Sequence, residues 1–208
     1  MLASGNSHSR HNAEPRKRPR QERSRRLVAK VLDEATRLFS ELGYHATTTN
    51  HVAEAAGVSV GSLYQYFPNK DALVVAVAER HLDEATTELA ELVPLLRAQE
   101  PDLADLCLIL VTAVAKMNDD PQLDELLWRA PRTAALDARL DELRKTVADE
   151  LVWHLQRLGD TSPLVGTRAR ILVTSVEACV HEGRLIADEH ATDELVRMCL
   201  TYLESAAC

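Results

Sequence analysis

Apolar residues recur at three- and four-residue spacing along most of this chain, the period of a helix with one buried face. Over residues 24–42 the stripe is Val28, Val31, Leu32, Ala35, Leu38, Phe39 and Leu42. A second stripe, Leu73, Val74, Val77, His81, Leu82 and Ala85, predicts a helix that opens at the N-cap Asn69 and ends near Leu92, before Pro94. Asp102 opens a helix whose apolar residues, from Leu103 to Met117, surround much of its circumference, which implies burial. The run from Asn118 to Pro121 breaks the pattern, with Asp120 as a cap and Pro121 at the first position of a short helix through Leu123, Leu126, Leu127 and Trp128. A long helix over residues 132–158 carries Leu136, Leu140, Leu143, Val147, Leu151, His154, Leu155 and Leu158 in heptad-like register, and Gly159 ends it. Two last helices, over residues 163–187 and 192–206, carry Leu172, Val176 and Cys179 on one and Leu195, Cys199, Leu200 and Leu203 on the other. Their apolar surface exceeds what one core contact uses, and that predicts a partner.

Residues 48–70 have a different texture. Thr48 and Thr49 can cap a short helix through Val52, Ala53 and Ala56, because a hydroxyl accepts from free N–H groups at a helix start. Gly57 follows where the chain must turn with positive φ. Val58 plugs the corner, Ser59 caps a second helix, and Leu63 and Phe67 supply its buried side. Its outward side then carries Val60, Gly61, Ser62, Tyr64, Gln65 and Tyr66, with Lys70 just beyond. Short or hydrogen-bonding groups in that array suit phosphates and base edges, so the segment reads as a DNA-binding helix-turn-helix.

From about Arg25 to Glu79 the chain closely resembles the DNA-binding domain of TetR-family transcriptional regulators. The resemblance lies in Leu42-Gly43-Tyr44, Thr48-Thr49, Val52-Ala53, Ala56-Gly57-Val58-Ser59, Gly61-Ser62-Leu63-Tyr64, Tyr66-Phe67 and Asn69-Lys70. It implies an all-α fold: a three-helix head with the helix-turn-helix, then a larger helical bundle that binds an effector and dimerises. The expected divisions are an arm over residues 1–22, a DNA-binding domain over 23–68 and an effector-binding and dimerisation domain over 69–208. Each recognition helix of a homodimer would enter a major groove of a palindromic double-stranded operator. Thr49, Tyr66 and Lys70 are expected at phosphates, and Asn50, Val60, Ser62, Tyr64 and Gln65 at base edges. Gly61, where many relatives carry a larger residue, permits close backbone approach. The last two helices would pair with their copies through Leu172, Val176, Cys179, Leu195, Cys199, Leu200 and Leu203. Met117, Trp128, Trp153 and His154 lie on the helices that line the effector cavity in the family, where a Trp face and its N–H suit a small apolar or amphipathic effector. A rival reading is a DNA-binding scaffold whose second domain takes a protein partner.

Composition agrees with helices: aromatic residues make up 4 % of the chain and glycines number 7 of 208. A net charge of −8 opposes DNA binding, but it is unevenly distributed. Residues 1–80 hold 12 Lys/Arg against 8 Asp/Glu, and residues 81–208 hold 12 against 24. A basic head on an acidic body is oriented by the field of DNA. The clusters Arg16-Lys17-Arg18-Pro19-Arg20 and Arg23 to Arg26 predict an arm that is solvated when free and able to follow phosphates or a minor groove. No phosphate loop, nucleophile elbow or metal motif is visible, so neither an enzyme nor a cofactor is expected. Cys107, Cys179, Cys199 and Cys208 form no CxxC pair. Neither a signal peptide nor a membrane span is expected, and the chain reads as cytoplasmic.

Overall fold

The computed structural model describes residues 22–116, 126, 130–183 and 190–205, and these form eight helices and no strand. The helices are α1 (Glu22–Ala46), α2 (Thr49–Ala55), α3 (Val60–Tyr64), α4 (Lys70–Gln99), α5 (Leu103–Lys116), α6 (Ala134–Arg157), α7 (Val165–Gly183) and α8 (Ala191–Ser205). The basic arm, Met117, the break at 118–121, Trp128 and Cys208 lie outside the described residues. Of the short helix expected at 123–128, Leu126 is described; it is helical and buried.

In the head, α1 buries Val31, Leu32, Ala35, Leu38 and Phe39. Gly43 interrupts α1 with φ 75°, a left-handed value that glycine adopts without cost. Thr47 is fully buried beneath this break, and its hydroxyl donates to Leu38 O at 3.0 Å and Gly43 O at 2.8 Å. It thereby satisfies carbonyls that the helix end releases. Thr48 caps α2 by accepting from His51 N, Ser59 caps α3 by accepting from Ser62 N, and Asn69 caps α4 by accepting from Ala72 N. Gly57, with φ 63°, turns the chain between α2 and α3.

The 30 residues of α4 span about 45 Å. Its first half buries Leu73, Val74, Val77 and Leu82 in the head's core, which continues to Leu126, Ala130 and Leu136. The helix does not stop at Pro94, as the sequence suggested, but runs on to Gln99. Pro94 and Ala90 both face solvent, so water can take the carbonyl that proline leaves unpaired. The extra turn buries Leu96 and sets Arg97 against α6. Glu100, at φ 49°, then ends it. A second core joins α5, α6, α7 and α8; α6 packs most extensively on α7, and α5 on α8.

Candidate DNA-binding surface and interior cavity

On the outer face of α2 and α3, Asn50, Val60, Gly61, Tyr64 and Gln65 are exposed. The Thr49 hydroxyl lies 3.0 Å from the Tyr64 hydroxyl, which ties α2 to α3, and the Ser62 hydroxyl lies 2.7 Å from that of Ser59. A Cβ on Gly61 would meet only Ser59 Oγ, at 3.9 Å. Packing within the chain therefore does not require glycine here; what it does is bare the backbone on the outward face.

Two residues expected at phosphates lie differently. Tyr66 is 8 % exposed and joins the head's core beside Phe67. Since α3 ends at Tyr64, the turn that follows swings Tyr66 inward rather than along the reading face. The Lys70 ammonium donates to Tyr44 O at 2.6 Å and Thr47 O at 3.0 Å, and sits 3.9 Å from the centroid of the Tyr44 ring. Burial lowers the Lys70 pKa against the opposing charge of Asp71. Tyr44 in turn donates its hydroxyl to Asp71 at 2.5 Å, and burial, reinforced by that carboxylate, pushes its pKa up to about 12. Lys70 and Asp71 thus clasp the end of α1 to the start of α4.

A second clasp lies three turns along. Arg80 of α4 donates to Asp33 at 2.5 Å, to the Thr36 hydroxyl at 2.7 Å and to Leu32 O at 3.3 Å, all on α1. Beyond it α4 is tied to α6: Arg139 donates to Asp83 and to Glu79 O, and Arg97 grips both oxygens of Glu150.

Between these two ties a cavity of about 720 Å³ opens among α4, α5, α6 and α7. Its described wall is largely aliphatic, with Leu82, Leu96, Leu110, Leu140 and Leu151 prominent and no Phe, Tyr or Trp ring. Several of its polar groups are matched: Arg144 pairs with Glu177 and Arg132 with Asp137, besides Glu150 with Arg97. Sequence spacing could not reveal these pairs, whose members come from different helices or flank a helix start. Trp153 and His154 lie outside the lining, behind Glu150. The Trp153 ring carries the Arg97 guanidinium at 4.8 Å. His154 is 0 % exposed, edge-on to Trp153, with Nε2 3.3 Å from Glu150 Oε1 but without hydrogen-bond geometry. Burial pulls its pKa down more strongly than the Glu150 carboxylate raises it.

The stripes expected between two copies are largely used inside one. Leu172, Val176, Leu195, Cys199 and Leu203 are buried in the second core, and Val176 is 0 % exposed, so none of these five offers surface to another chain. Cys179 and Leu200 are half-buried. The outer faces of α7 and α8 instead show Ile171, 47 % exposed, and Met198, 40 % exposed. Among the described residues, no helix is long and apolar enough to cross a membrane, and no group of three His, Cys, Asp or Glu could hold a metal ion.

The family profile described as bacterial regulatory proteins, tetR family, matches residues 31–77. The HTH-type transcriptional repressor KstR of Rhodococcus jostii is 31 % identical over 182 residues, covering 83 % of this chain and 79 % of KstR. A TetR-family transcriptional regulator from Streptomyces coelicolor superposes with TM-score 0.66 at 18 % identity, over 88 % of this chain and 82 % of that one. The FadR regulator of Bacillus subtilis, solved in complex with stearoyl-CoA, superposes with TM-score 0.57 at 19 % identity, over 85 % of this chain and 95 % of its own.

Proposed function

We propose that this chain, which belongs to the TetR family of bacterial transcriptional regulators, is a homodimeric repressor released from a palindromic operator by a small, largely aliphatic effector. The observation that carries the reading is the position of the cavity. It lies along the second half of α4, whose first half is bound to the head by the Lys70 and Arg80 clasps. A ligand that spreads α4 from α6 moves the head as one body and changes the separation of two recognition helices. The outer faces of α7 and α8, with Ile171 and Met198, are the surface assigned to the second copy. FadR, of similar fold, supplies a precedent for a long aliphatic ligand in its complex with stearoyl-CoA.

Such an effector acts only through its differential affinity for the two forms, typically about 1–3 kcal/mol. Linkage then requires operator DNA to weaken effector binding by the same factor. The test selects an operator from genomic fragments, then titrates aliphatic compounds while following tryptophan fluorescence, with and without that DNA. A ligand whose affinity ignores the operator is a passenger, and the switch then belongs to a protein partner.

A further inference from the structure

The α4–α6 ties fix the direction of the cavity. Arg139 holds Glu79 O and Asp83 at the end nearest the head, and Arg97 holds Glu150 at the far end. His81 and Leu136 border the cavity near the head, while Leu96, Leu151 and Glu150 border it at the far end. The far end is lined by Leu96 and Leu151, and the Glu150 carboxylate there is already taken by Arg97. His81 differs from the other polar groups in the wall. It is half-buried, and among the described residues nothing hydrogen-bonds its ring. The remaining groups without a described partner, Glu88, Glu91 and Lys116, are exposed and bathed by water. A neutral imidazole offers one donor and one acceptor. Shielding it from water beneath a purely hydrocarbon ligand would leave both unmet, whereas a ligand oxygen would meet one of them.

We propose that His81 is the specificity-determining polar group of this cavity. The effector is then an elongate aliphatic or alicyclic molecule with one oxygen head group (hydroxyl, carbonyl or carboxylate) at the end nearest the DNA-binding head. The inference rests on the cavity being the effector site, and it names that effector's chemistry and orientation. The orientation also has a regulatory sense. His81 follows Arg80, the residue that clasps α4 to Asp33 and Thr36, so a head group bound there pulls on α4 beside the joint that carries the head.

The test compares decan-1-ol, decanoate and decane by calorimetry on the full-length protein and on its His81→Leu and His81→Gln variants. An oxygenated probe should bind His81→Leu about three- to tenfold more weakly than the wild type, the span of one net hydrogen bond. Decane should bind His81→Leu at least as well, and His81→Gln, which keeps a donor and an acceptor, should recover most of the loss. Whether decan-1-ol or decanoate suffers more tells a neutral head group from an anionic one. Equal binding of the oxygenated probes by wild type and His81→Leu overturns the role of His81 and leaves the cavity reading standing. An equal loss for decane does the same, because it marks a merely structural change. If none of the three probes binds the folded wild type, the cavity reading itself falls.

Discussion

Lys70→Met keeps a long, flexible side chain and deletes the ammonium group, so it isolates what that charge does at the joint between α1 and α4. In the native protein the ammonium donates to two backbone carbonyls, Tyr44 O at 2.6 Å and Thr47 O at 3.0 Å, and lies over the Tyr44 ring at 3.9 Å. A hydrogen bond to a charged group contributes about 1.5–3 kcal/mol net, and the cation over the ring about 0.5–1 kcal/mol. The burial that lowers the lysine's pKa offsets part of this gain. A loss of about 2 kcal/mol is therefore expected, which for a chain of 208 residues lowers the melting temperature by about 4–8 °C. The DNA measurement runs beside the melt. An ammonium committed to carbonyls is not neutralising a phosphate, so the slope of log K against log salt should stay as it was. A phosphate anchor would instead reduce that slope by about one unit when removed. An unchanged melting temperature with a slope reduced by one unit would show Lys70 at DNA, and the reasoning from its carbonyl partners would fail.

Charge introduced at Ile171 or Met198, on the outer faces of α7 and α8, should give folded monomers in sedimentation, because an unpaired ion in an apolar interface costs about 3–5 kcal/mol. Val176→Glu should melt the protomer itself, since that site is already enclosed by its own chain; tight dimers from both outer-face variants would put the interface elsewhere. Because burial holds the folded-state pKa of His154 below its ordinary value of about 6.5, the unfolded chain binds the extra proton first as pH falls. Its contribution is full above that pH and is lost on acidification, so His154→Leu should flatten the decline in melting temperature between about pH 6.5 and 5. An equally steep decline in the variant assigns the acid limb to other groups.

What could be read from the sequence was local chemistry. Thr48, Ser59 and Asn69 announce helix starts by residue type, and each cap is made within three residues. Gly57 marks a turn for an equally local reason. What could not be read depends on where distant segments arrive. Tyr66 and Tyr64 are two residues apart on one short helix pattern, and only the early end of α3 sends one to the core and leaves the other outside. Lys70 finds its carbonyls because Gly43 breaks α1 27 positions earlier. An apolar stripe reports that a face is covered but not by which chain, so Val176 and Leu203 looked like interface residues while α7 and α8 were covering α5 and α6. The family resemblance implied a cavity, but its lining had no local sequence signal, since the wall of a void is set by packing.

The shared core of the head and α4 bears on how such regulators exchange parts. Cutting the chain after residue 68 would strip Leu73, Val74 and Val77 from the core they share with Val31, Phe39 and Leu63, and would sever both clasps. The transplantable unit is therefore longer than the helix-turn-helix: it runs at least through Leu82, where the same core also meets Leu136. A graft of this head onto another bundle should join the two helices beyond that residue, with the donor's Arg80 carried across. Recombination between related genes would meet the same constraint, which makes the middle of α4, rather than its start, the natural seam of the protein.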